Sequence, residues 1–242
     1  MNRRFLLACV LISCLCVPVS SNAQSTSPGY SVSVRELRIP PKALREFHKG
    51  NELLARHDAE GSLPHFQAAT AEYPGYFEAY DRIGAVDLQL WRIPEAEQAF
   101  RKSIEASGGD YARPLLALGA ILDDHKEFAE AATVIRKGLA LAPDSWNGYY
   151  YLGRALFGLN RLEEAESNAR EALRRKLDSP SIHLLLADIH GRKKDYDSLL
   201  ADLDEYLRLA PDGAASDWAR NLRQTVQRMI GESQSASALV QQ

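Results

Sequence analysis

Histidine, carboxylate and cysteine side chains are where chemistry would begin in this chain. Their spacing decides how much of it is available. The histidines are His48, His57, His65, His125, His183 and His190. None stands in a His-Glu-x-x-His arrangement, and a zinc site needs three or four converging ligands. His183 and His190 come nearest, two helical turns apart, with Asp188 sharing their face only in part, and they read as structural or solvated. Asp123-Asp124 and Glu163-Glu164 are adjacent in sequence, so they point to different sides of a helix and cannot work on one bond. There is no glycine-rich phosphate loop and no Gly-x-Ser-x-Gly nucleophile elbow. The pattern implies no enzyme, no metal and no other cofactor.

All three cysteines, Cys9, Cys14 and Cys16, lie in the first stretch of the chain. Residues 1–23 read as an export signal. Arg3-Arg4 supply the basic start, Phe5 to Val17 an apolar run too short to span a bilayer comfortably, and Ser21-Asn22-Ala23 small residues for cleavage. The reading is an exported chain, periplasmic or secreted, that begins at Gln24 and has no transmembrane span. Two other leader patterns are present in part. Leu11-Ile12-Ser13-Cys14 resembles a lipobox and would give a membrane-anchored lipoprotein acylated on Cys14, and Arg3-Arg4-Phe5-Leu6 resembles a twin-arginine signal.

Cleavage after Ala23 removes every cysteine, so the mature chain must be held by packing without disulfides. It also leaves 27 basic residues against 32 acidic ones, a formal balance of −5. That argues against nucleic acid as partner. The basic runs Arg174-Arg175-Lys176 and Arg192-Lys193-Lys194 fall at predicted helix ends, where cations complement the macrodipole.

The elements that position everything else repeat. In Trp146 to Leu173, Tyr149, Leu152 and Leu156 share one helix face around Gly153, Asn160 breaks the chain, and Ala165, Ala169 and Ala172 line a second helix. Gly50, Gly84, Gly119, Gly153 and Ala187 occupy equivalent positions at steps of 34, 35, 34 and 34 residues. The extra residue falls at Gly108-Gly109, a loop pair. Ser62, Ala96, Ala131 and Ala165 take the small role on the second helix, and Ala69, Ser103, Gly138 and Ala172 take it again seven residues on. Phe66, Phe100, Ile135 and Ala169 stand between them. Small residues let two helices approach while large neighbours fill the flanking grooves.

This pattern resembles the tetratricopeptide repeat. The resemblance implies an all-α solenoid, a right-handed superhelix of helix-turn-helix repeats, at 43–76, 77–110, 112–145, 146–179 and 180–213. Residues 24–41 read as a flexible to extended arm, 214–230 as a capping helix, and 231–242 as a disordered tail. The fifth repeat departs from the pattern at Ala187, Leu199 and Tyr206, so its helices are expected to pack less closely. Glu46 and Asp87 stand where large residues are usual.

In the family the first helices line a concave groove that binds a peptide or protein. The resemblance places Phe47, Asn51, Leu88, Leu116, Tyr150, Arg154, Phe157 and Leu184 there. The family's chaperone-tail binders clamp a terminal carboxylate, and this chain matches that clamp only at Asn51. Phe47, Arg82, Arg113 and Ala117 hold its other places. The expected function is a non-enzymatic scaffold in an envelope complex. The alternative is a structural spacer or self-associating array whose groove is filled by its own residues 31–39.

Overall fold

The computed structural model describes residues 38–240, and of 233–240 the backbone course alone. The export signal, and all of the arm before Arg38, therefore lie outside the described residues. Among the described residues there are eleven helices and no strand. They run α1 Pro41–Ala55, α2 Ala59–Glu72, α3 Phe77–Gln89, α4 Ile93–Ala106, α5 Ala112–Asp124, α6 Phe128–Leu141, α7 Trp146–Gly158, α8 Leu162–Arg175, α9 Pro180–Lys193, α10 Tyr196–Leu209 and α11 Ser216–Val240. The fold is all-α, made of successive helical hairpins. The chain divides into two compact units, one ending at Ile121 and the other beginning at Leu122.

In the first unit, α1 packs on α2 and α3 on α4, with α2 and α3 joining the hairpins. The Phe66 ring lies where a Cβ on Gly50 would come within 2.7 Å of it, and Phe100 stands over Gly84 at 2.8 Å in the same way. Each glycine thus leaves room for a fully buried phenylalanine of the partner helix. Ile39 is buried among Ala43, Ala69, Tyr76 and Ala79, so the last described residues of the arm close the edge of the first hairpin. The His65 ring meets Glu46 at 2.7 Å, and Lys49 donates to the same carboxylate at 3.0 Å. This accounts for an acid at a position usually large. The His65 contact, then Lys49, holds the Glu46 carboxyl below its ordinary range.

In the second unit the hairpins are α7 with α8 and α9 with α10, with α6 packed on α7 and α11 on α10. Gly153 differs from the first unit's glycines: a Cβ there would meet backbone, Ala165 O at 3.2 Å and Ala169 N at 3.4 Å, and the side chain of Leu185 at 3.2 Å. With only Ala169 at the large position, helix backbone itself fills the space. The fifth repeat keeps its core by another route. Leu199, Leu203 and Tyr206 are buried with Ala187 against Ala219 and Val226 of α11. The Tyr206 hydroxyl also accepts a hydrogen bond from the Ala215 amide at 3.1 Å. Its large residues are therefore the floor on which the last helix sits.

One correction concerns the C-terminal end. The helix expected to stop at residue 230 runs on to Val240, where the sequence reading places a disordered tail. Gly231 costs a helix only about 1 kcal/mol, and Glu, Gln, Ala and Leu beyond it are good helix formers that carry the turn onward.

Every hairpin turn is built alike. His57, Trp91, Lys126, Asn160 and Lys194 have φ between 60° and 65°, in the left-handed region. The amide of each donates three residues back, and the next amide five residues back: Asp58 to Leu53, Arg92 to Asp87, Glu127 to Leu122, Arg161 to Leu156 and Asp195 to His190. This is the Schellman closure, which satisfies the last carbonyls of the first helix. In the α4–α5 loop Gly108 and Gly109 take φ of 63° and 85° instead.

Candidate functional site

Two polar clusters lie on the first helices, one in each unit. In the first unit Asp81 of α3 is 2% exposed. Arg113 of α5 reaches it at 3.3 Å and the Tyr111 hydroxyl donates to it, also at 3.3 Å. Burial pushes the Asp81 carboxyl up, against the pull of Arg113 and Arg82. The Tyr111 phenol is pushed up to about 12, by burial first and by Asp81 next. Arg82, half-buried beside Asp81, has its guanidinium pKa lowered by burial and then by the charge of Arg113. Among the described residues no carboxylate forms an ion pair with Arg82.

In the second unit two carboxylates share one arginine. Asp123 and Asp124, at the end of α5, receive one arginine, Arg154 of α7, at 2.8 Å and 3.0 Å. The contact to Asp123 Oδ2 is an ion pair without good hydrogen-bond geometry. The guanidinium also lies against the rings of Tyr150 and Tyr151, at 5.9 Å and 5.8 Å from their centroids. Burial alone would lower its pKa, but Tyr150, Asp123 and Asp124 together raise it above the ordinary value. Burial in turn pushes the Tyr150 phenol up.

The residues assigned to the groove fare unequally. In the first unit Phe47 is half-buried among Phe66 and Tyr76, at centroid distances of 5.6 Å and 4.8 Å. Asn51 and Leu88 are half-buried and Leu116 is buried. In the second unit Tyr150 is 6% exposed, a core residue with little area to give a partner. Arg154 is committed to Asp123 and Asp124 and is not a free selector of acidic segments. Phe157 is half-buried beneath the Arg192 guanidinium at 5.0 Å. Leu184 is half-buried against the core of the fifth repeat. Of the packing positions, Gly50, Gly84, Gly119, Gly153, Ala187, Ala96, Ala131 and Ala165 are all buried.

The basic runs are spent within the second unit. Arg175 donates to the Pro143 carbonyl at 3.1 Å and lies over the Tyr149 ring at 4.5 Å, while Lys193 binds Glu166 at 2.7 Å. Lys193, then Arg170 and His190, hold the Glu166 carboxyl at about 2, with burial opposing. Sequence reasoning missed the partner of His183 and His190. Both rings turn Nδ1 to Asp202 of α10, at 3.1 Å and 2.8 Å. A carboxylate nineteen residues from His183, on the next helix, gives no local signal. Among the described residues no group of three or more His, Cys, Asp or Glu is placed to hold a metal ion. No described helix is long and apolar enough to cross a membrane.

Residues 116–169 and 150–214 match the family model of the tetratricopeptide repeat. Residues 116–214 are thus similar to tetratricopeptide repeats. Solved structures share the fold at low identity. MamA (41-end) from Desulfovibrio magneticus RS-1 is 20% identical, with a TM-score of 0.64 over 73% of this chain and 99% of its own. YrrB, described as a tetratricopeptide-repeat protein with an unusual peptide-binding site, is 19% identical, with a TM-score of 0.63 over 74% of this chain and 92% of its own. PilW, described as a type IV pilus biogenesis factor, is 16% identical, with a TM-score of 0.67 over 82% and 90%. No curated protein matches the chain.

Proposed function

We propose that the protein is a non-enzymatic scaffold that binds a peptide or protein on the faces of its first helices. The observation that carries this reading is the half-buried apolar row on those helices, Phe47 and Leu88 in one unit and Phe157 and Leu184 in the other, set beside polar groups. Half-buried apolar side chains next to hydrogen-bonding groups are what a partner can cover with profit. The likeness to YrrB, with its peptide-binding site, supports the reading. The export signal read from residues 1–23 supports a role in the cell envelope, in a complex with that partner. The mass of the mature chain tests this: loss of residues 1–23 supports it and a retained Met1 refutes it, while an acylated Cys14 would instead anchor the protein to a membrane.

The binding test is enrichment of a displayed random peptide library on the full chain and on a Leu88→Ala, Phe157→Ala variant. Enrichment by the wild type with about tenfold weaker binding by a folded variant supports the scaffold, since a few anchors dominate such interfaces. Equal binding by both sinks it. A second reading, the self-associating or spacer array, is favoured by Trp218 and Met229 of α11, which are 39% and 48% exposed. Sedimentation of the full chain separates the two. A concentration-dependent dimer lost on Trp218→Ala supports self-association.

A further inference from the structure

We propose that His190 is a proton-operated clasp: with hydrogen on both ring nitrogens it ties Glu166 of α8 to Asp202 of α10 and holds the α9–α10 hairpin more firmly on α8. The inference does not depend on what the helix faces bind, and it makes the packing of the last hairpin respond to pH.

The His190 ring is 2% exposed and lies between two carboxylates, one at each nitrogen. Nδ1 stands 2.8 Å from Asp202 Oδ2. A carboxylate only accepts, so Nδ1 carries the hydrogen, and the neutral ring must leave Nε2 bare. Nε2 is buried, forms no hydrogen bond, and faces Glu166 Oε1 at 3.4 Å. In the neutral ring this is a lone pair turned toward an anion. A proton on Nε2 makes it a charge-assisted contact, stronger again where water is excluded. His183 shares Asp202 through Oδ1 at 3.1 Å, but among the described residues no second carboxylate forms an ion pair with it.

The other charges around the ring come from each element packed on it. Lys193 of α9 and Arg170 of α8 bind Glu166 at 2.7 Å and 2.8 Å and hold it at about 2, so it stays an anion wherever histidine ordinarily titrates. Lys193 also reaches Glu163 of α8 at 3.9 Å, and Asp195, before α10, acts on both Lys193 and His190. From α7, Arg154 is turned to Asp123 and Asp124. Burial opposes a charge on the ring, and the carboxylate at each nitrogen offsets it. The contact at Nε2 is therefore present in acid and is lost as pH rises and the proton leaves. What loosens with it is the hairpin whose Leu199, Leu203 and Tyr206 support α11.

The test uses the full chain between about pH 9 and about pH 5, a range that brackets the ordinary titration of histidine and stays above that of glutamate. Long-range nitrogen–proton NMR spectra report which nitrogens of His183 and His190 bear hydrogen. Amide hydrogen exchange, corrected for the intrinsic rate at each pH, reports the opening of α9 and α10. The expected result is that His190 keeps Nδ1–H throughout and gains Nε2–H on acidification. The amides of α9 and α10 should become about tenfold or more better protected with that step, as expected for a hydrogen bond between charged groups. His190→Gln, which can still donate to Asp202 but takes up no proton, should abolish the gain, and His183→Gln should leave it in place. Glu166→Gln removes the anion at Nε2 and should also abolish it. A His190 ring still neutral at about pH 5, a neutral form with hydrogen on Nε2 alone, or equal protection of α9 and α10 in the two forms overturns the clasp. So does a gain that survives in Glu166→Gln. The first three outcomes are read on the unaltered chain and stand even where a variant fails to fold.

Discussion

In the first unit an aspartate of α3 meets one arginine of α5 and the Tyr111 hydroxyl. In the second unit two aspartates of α5 meet one arginine of α7. Both clusters pair a buried acid with a base, and both include tyrosine, yet one sets a single buried carboxylate against its arginine and the other sets two. The glycines differ in the same division, since Gly50 and Gly84 make room for a phenylalanine ring while Gly153 makes room for backbone. One repeat pattern therefore carries two local solutions. The lesson is that a repeat position fixes where a contact forms, while its neighbours fix the contact's sign and stiffness.

The comparison breaks first at Arg154. Replacing it with Met leaves the buried Asp123 without its arginine, and loss of one partner of a buried pair should cost about 3 kcal/mol in urea unfolding. Adding Asp123→Asn to Arg154→Met should return part of that loss. An unchanged urea midpoint for the single variant would show that Arg154 holds nothing in place. Next comes Gly153→Leu. Backbone cannot swing aside as a ring can, so overpacking should cost about 1–3 kcal/mol, read as a lowered midpoint. Equal stability would mean that α7 and α8 separate freely.

Arg113→Met should cost about 1 kcal/mol or less, since its 42% exposed side chain is screened by solvent. A loss as large as that at Arg154 would abolish the distinction between the clusters.

The smallest effects are two opposite slopes with pH. Asp81 has a folded pKa raised above its ordinary 3.8, so its stabilising contribution is full below that value and is lost as pH rises through the raised one. Glu166 is lowered from 4.5 to about 2, so its contribution is full above 4.5 and is lost as pH falls toward 2. Urea midpoints measured against pH should therefore show Asp81→Asn gaining on the wild type as pH rises and Glu166→Gln gaining as pH falls. Parallel curves would contradict both environments.

The all-α repeat fold was legible because its signal is periodic. Glycines and small residues one repeat apart mark close helix contacts, and Asn160 marks a turn by chemistry that needs no partner. The clusters were not legible. Arg154 can be placed on one face of α7, but the adjacency of Asp123 and Asp124 in sequence carries no sign that an arginine about thirty residues on meets both. Tyr150 was expected at a surface for the same reason. Its type suits an interface and a core equally, and the arginine beside it decides for the core. Leu199 and Tyr206 looked like flaws in the pattern until α11 was seen to need them.

The five left-handed turn residues have a further consequence, for what the chain can vary. A side chain in that conformation costs about 1–2 kcal/mol, and glycine, which escapes the cost, surrenders about 0.5–1 kcal/mol in added freedom of the unfolded chain. Exchange for glycine is thus close to break-even. These turns are places where composition is nearly decoupled from folding. Trp91, 54% exposed on its turn, is the clearest use of that latitude: an indole is displayed there at a cost of about 1 kcal/mol or less relative to glycine.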